Sequence, residues 1–204
     1  RRCVEAGACA SPHEGPFCNG VDAARDAHPA NCIDAKMSEA YCRFAGARLP
    51  TEEEWEYAAR GGAERRRYSW GLEPPDRTRA CYDHPGTCPV ASFAPGAFGL
   101  YDVSGNVWEW TSSAFAPYPR AGAVPADVRE AFPTTDMRVY RGGSWSRRFP
   151  RWLSTTLRNR YPVDAWSAAL GVRCARSIAP LACPDEAEPR DGRCTWMEVY
   201  AAPP

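Results

Sequence analysis

The residues in this chain best suited to chemistry are its ten cysteines, its three histidines and a late run of arginines and aromatic rings. The cysteines are even in number, spread along the whole length and never spaced Cys-x-x-Cys, which favours disulfides formed in an oxidising compartment over zinc ligation. Such usage predicts a secreted, periplasmic or cell-envelope protein. The N-terminal group Cys3, Cys9, Cys18 and Cys32 is read as a set of staples with its pairing left open; zinc held by these and His13 is the alternative, although the spacings fit no usual zinc pattern. His13, His28 and His84 include no two at helical ligand spacing. Trp145, Arg147, Arg148, Phe149, Arg151, Trp152, Arg160, Tyr161 and Trp166 combine aromatics with forked cations, the mixture on which binding hot spots are built. That stretch is locally positive and suits an anionic or carboxylate-rich partner.

The whole chain contradicts its local charge. Lys+Arg and Asp+Glu are both 25 among 204 residues, so no global field favours nucleic acid or an anionic membrane. No run approaches the roughly 18 apolar residues of a membrane helix, and the opening Arg1-Arg2-Cys3 is no signal peptide. The length suits one domain with an appendage.

Three regions must position these side chains. Residues 1–32, rich in Gly, Pro, Ala and Cys, read as a stapled segment of the main domain. Residues 33–176 read as the core, and 177–204 as an appendix pinned by Cys183–Cys194. Asp34 can cap a helix whose apolar repeat is Met37, Ala40, Tyr41, Phe44 and Ala45, stopping near Gly46. Thr51 and Glu54 form a capping box for a second helix with inner face Trp55, Ala58 and Ala59, and Gly61-Gly62 ends it. Beyond it, Asn106–Thr111 and Met137–Tyr140 alternate as strands among turn residues and tryptophans. These features predict a loop-rich α+β domain with two or three helices and few short strands.

Three segments in order carry a family resemblance: Arg48-Leu49-Pro50-Thr51-Glu52-Glu53-Glu54-Trp55, then Gly99-Leu100-Tyr101-Asp102-Val103-Ser104-Gly105-Asn106-Val107-Trp108-Glu109-Trp110-Thr111, then Arg141-Gly142-Gly143-Ser144-Trp145 with Gly171-Val172-Arg173-Cys174 downstream. Over about residues 30–176 the chain resembles the formylglycine-generating enzyme, or sulfatase-modifying factor, family. The resemblance implies a C-type-lectin-like fold, a Cys42–Cys174 disulfide and calcium held by Asp102, the carbonyls of Gly105 and Val107, and Glu109. A hard cation wants six to eight oxygens, which a tight glycine turn helps to gather. At a second family calcium site Cys81 stands about where an asparagine is expected, and Cys81 with Cys88 is read as a small disulfide loop instead. The resemblance also implies a missing stretch of strands and a helix upstream, supplied by an N-terminal fragment or a protein partner, or else an exposed apolar groove.

The oxidases of the family hold Cu(I) between two cysteines just beyond the Gly-Gly-Ser turn. Here Arg147 and Trp152 fall on those positions and no cysteine occurs between Ser144 and Cys174. Soft Cu(I) prefers thiolates and is repelled by a guanidinium. Copper is therefore not expected, and the chain reads as a non-catalytic binding module whose ligand surface lies in the 145–170 segment. Two alternatives remain: an oxidase modifying a sulfatase cysteine, and a structural domain attached to an effector such as a kinase or protease.

Overall fold

The computed structural model describes residues 1–20, 22–117, 136–177 and 197–199. Among these residues there are three α-helices, α1 (Arg2–Glu5), α2 (Ala35–Phe44) and α3 (Glu52–Ala59). Six short strands follow: β1 (Trp108–Ala114), β2 (Met137–Arg141), β3 (Arg158–Pro162), β4 (Leu170–Val172), β5 (Ala175–Ser177) and β6 (Met197–Val199). The sheet order is β3-β2-β1-β4, antiparallel except for the parallel β1–β4 pair, and β5–β6 form a separate antiparallel pair.

Both core helices start where their caps dictate. The Asp34 carboxylate accepts from Met37 N at 2.7 Å, and Thr51 with Glu54 makes the reciprocal capping box. Gly61, at φ 71°, ends α3, whose Trp55, Ala58 and Ala59 are buried as expected. The face of α2 differs from its apolar repeat: Ala35, Ser38 and Cys42 point inward while Tyr41 and Phe44 are exposed. The Cys42–Cys174 disulfide, with a Cα–Cα distance of 5.5 Å, fixes that rotation and overrides hydrophobic periodicity.

The main core joins Ala35, Cys42 and Leu49 to Trp108, Trp110, Tyr140 and Leu170. Tyr140 meets Trp108 and Trp110 edge-on, at ring separations of 5.1 and 5.8 Å. Aromatic area thus closes the gap between short strands that have few ladder bonds. A second cluster, Trp55, Ala58, Ala59, Leu100 and Val103, seats α3 against the loop before β1.

Candidate functional site

The arginine–aromatic face grows out of the turn after β2. Gly142 (φ 103°) and Gly143 (φ 79°) adopt backbone that a side chain would strain, and a Cβ on Gly143 would lie 2.5 Å from the Trp152 carbonyl. The two glycines therefore let the turn press directly on the 3₁₀ turn Pro150–Leu153, anchored by fully buried Leu153. This contact sets Arg147 beside Trp152. The Arg147 guanidinium carbon lies 5.0 Å from the Trp152 ring and 5.9 Å from the Trp108 ring. The Arg151 guanidinium carbon lies 5.7 Å from the Trp152 ring and 5.3 Å from that of exposed Phe149.

The remaining expected surface residues divide. Arg148 is exposed and pairs with Asp83 at 3.6 Å. On β3, Arg160 stacks 4.3 Å from Phe115, while Tyr161 is exposed and meets Tyr140 at 6.0 Å. Trp166 stacks on His13 of the N-terminal segment at 4.7 Å. Trp145 is a correction to the expected surface: it is 9% exposed, packs on Cys81, Cys88 and Val107, and its indole N–H donates to the Ala168 carbonyl. It is framework, because the turn that presents Arg147 directs it inward.

Sequence reasoning missed Tyr140 and Trp108 as members of this face. Tyr140 sits among the rings of Trp108, Trp110 and Tyr161; burial pushes its phenol up, opposed by the Arg147 charge. The alternation around Met137–Tyr140 placed Tyr140 on a strand, but nothing in it indicated which partner it would meet.

A second cluster lies at the start of β1. Arg173 grips Glu109 through Nε and Nη2 at 2.7–3.1 Å and donates to the Tyr101 carbonyl at 2.7 Å. Trp55 Nε1 donates to the same carboxylate at 2.6 Å. Burial lowers the Arg173 pKa, but the charge and hydrogen bonds of Glu109 outweigh it and the net direction is upward. Asp102, at φ 55°, accepts from Ala91 N at 2.7 Å. Burial pushes the Asp102 carboxyl above the usual aspartate range, the Arg173 charge opposes that shift and the Glu109 charge adds to it.

The sulfatase-modifying factor enzyme 1-like domain matches residues 3–178. The chain belongs to that family. The formylglycine-generating enzyme of Streptomyces coelicolor is 40% identical, over 74% of this chain and 53% of that protein. The inactive C-alpha-formylglycine-generating enzyme 2 of Mus musculus is 42% identical, over 68% of this chain and 46% of that protein. The chain thus spans about half the length of these relatives. The crystal structure of CarF has the same fold, with a TM-score of 0.63 and 21% identity over 87% of this chain and 80% of CarF. The loop-rich, C-type-lectin-like fold of the formylglycine-generating enzyme family is therefore the fold of this chain.

Within that family frame, the described cysteines are all bonded: Cys3–Cys9, Cys18–Cys32, Cys42–Cys174 and Cys81–Cys88. The pairing left open at the N-terminus is thus two local staples, while Cys183 and Cys194 lie outside the described residues. His84 Nδ1 comes within 3.9 Å of Cys88 Sγ, and Cys81, His84 and Cys88 could gather round a metal, but both sulfurs are committed to each other. Arg147 and Trp152, the positions at which the family resemblance expects thiolates, carry a guanidinium stacked on an indole, and neither offers the soft sulfur that Cu(I) prefers.

Half-buried Asp102 and buried Glu109 share one nearby arginine at this cluster, and with the carbonyls of Gly105 and Val107 they are the oxygen donors that would hold a hard cation such as calcium. Glu109 is already well satisfied by Arg173 and Trp55, so Asp102 is the side chain with most to gain.

Proposed function

We propose that this chain is a non-catalytic recognition module of the formylglycine-generating enzyme family, capturing an acidic partner with the face built from Arg147, Arg151, Trp152, Arg160 and Tyr161. The reading is supported by the Arg147–Trp152 stack, at the two positions where the family resemblance expects copper-binding thiolates, in a domain whose described cysteines are all disulfide-bonded. Among the described residues Arg147, Arg151 and Arg160 have no carboxylate within ion-pair distance, unlike Arg148, so positive charge is available to a partner.

Calcium at Asp102, Gly105, Val107 and Glu109 belongs to the same reading, as a structural ion bracing the loop before β1. An oxidising extracytoplasmic compartment suits the four disulfides. No described helix is long and apolar enough to cross a membrane. The completing segment or partner would cover Tyr57 and Phe98, stacked at 6.3 Å and more than half exposed; adding the corresponding segment of a relative should protect both rings from solvent in a quenching assay, and unchanged quenching refutes it.

The test of the main reading is copper(I) titration with thiol counting, alongside incubation with a cysteine-containing sulfatase peptide. The expected result is no stoichiometric copper and no aldehyde. Either product overturns the assignment.

A further inference from the structure

Two N–H donors in the arginine–aromatic face have been removed from water without an acceptor: Trp108 Nε1 and Arg147 Nε. Trp108 is only 2% exposed, and a buried unsatisfied donor is costly, so natural folds rarely leave one without a purpose or an occupant. The Arg147 guanidinium carbon is 5.9 Å from the Trp108 ring and 5.0 Å from the Trp152 ring, and Tyr140 and Trp152 meet Trp108 edge-on at 5.1 and 6.3 Å. No carboxylate of the described residues pairs with Arg147.

We infer that this cluster of rings opens to receive a carboxylate from an acidic side chain or chain terminus of a protein partner, with the Arg147 Nε–H and the Trp108 indole N–H as its donors. The inference rests on the recognition-module reading and names its ligand. An acceptor-only, singly charged, flat group answers both donors and the free positive charge at once. Its two oxygens can each accept from one of these N–H groups in a hydrogen bond of about 2.9 Å. A neutral amide would leave the charge unanswered, and a phosphate would bring more oxygens than the aromatic walls can satisfy. Because both donor atoms are closed to solvent, the ligand must displace a neighbour, and half-buried Trp152 is the ring at the rim.

The test follows indole N–H signals by NMR in ¹⁵N-labelled protein, with Trp108 assigned through Trp108→Phe. The probes are N-acetylglutamate amide, N-acetylglutamine amide, inorganic phosphate and a short peptide ending in glutamate. The expected result is saturable movement of the Trp108 signal with the glutamate probe and more tightly with the peptide, and none with the glutamine probe or phosphate. Arg147→Gln should weaken binding about tenfold or more, as loss of a charged hydrogen bond does. Trp108→Phe, which keeps the ring and removes the donor, should weaken it to a smaller degree and guards against misfolding of the arginine variant. A motionless Trp108 signal, equal response to phosphate, or a trapped water that no probe displaces would each overturn the inference. Peptide capture that depends on Arg151 but ignores Arg147→Gln would sink this inference and leave the module reading standing, whereas copper binding would remove the module reading itself.

Discussion

Replacing Arg173 with methionine should be among the most damaging single changes in this domain. The arginine makes three contacts with Glu109 and one with the Tyr101 carbonyl, and the two side chains are 10% and 4% exposed. Methionine keeps the bulk but strands the Glu109 carboxylate with only Trp55 Nε1 and nearby Asp102. Breaking one partner of a buried pair costs about 3–5 kcal/mol. At roughly 2–4 °C per kcal/mol for a chain of this size, Tm should fall by about 6–20 °C. Thermal and urea unfolding measure it, with Glu109→Gln and the double variant completing a cycle. The double variant should recover part of the loss, because it leaves no stranded charge. Calcium should stabilise Arg173→Met more than wild type, since the ion then faces two carboxylates with no arginine. A loss under about 1 kcal/mol, or a double variant worse than the sum of the singles, would refute the reasoning.

Other changes read different parts of the structure. The Asp102 pKa is raised in the fold, chiefly by burial, so the native state binds more protons than the unfolded chain just above the ordinary value of about 3.9. Without calcium this residue costs stability progressively as pH rises through that value to the raised one; the gain from Asp102→Asn should grow across the same window and vanish below it, and a pH-independent difference in Tm would count against it. Chelator should lower the wild-type Tm, an indifferent melt arguing against calcium. Converting Cys42 and Cys174 together to alanine opens a link across 132 residues and should cost about 5 kcal/mol by loop entropy, measured in urea. Trp145→Ala should cost about 3–5 kcal/mol as a core truncation, while Arg151→Ser should stay within about 0.5 kcal/mol and lower only partner capture.

Local signals were legible where the chain needs no distant partner. Asp34, Thr51, Glu54 and Gly61 dictate helix ends through their own backbone contacts, and the structure places caps and stop at those residues. Strand β2 lies where the Met137–Tyr140 pattern put a strand, although Val139, Tyr140 and Arg141 are all buried rather than alternating, whereas β3 and β4 lack a pattern strong enough to announce them, being only five and three residues long. The α2 face was unreadable from apolar spacing because a covalent tie to Cys174 decides it. Of the candidate site, Arg147 beside Trp152 was legible as motif positions. The orphan donor on Trp108 was not, because an unsatisfied group exists only once every neighbour has been placed.

The fold separates a buried frame from the half-buried face beside it. Gly142 and Gly143, the Glu109–Arg173 pair and the Trp55 indole are mutually buried, so substituting any of them threatens the whole domain. Arg147 and Trp152 sit at the half-buried end of the same frame, where each side chain packs on the other and on Trp108 rather than on the α3 core. Side chains there can be exchanged while the Gly-Gly turn and the Leu153 anchor continue to present them in one geometry. An arginine inserted against indoles keeps its aliphatic stem packed and offers a cation that thiolates would not. The buried frame thus holds the fold, and the recognition reading proposed above rests on the two positions at its half-buried end.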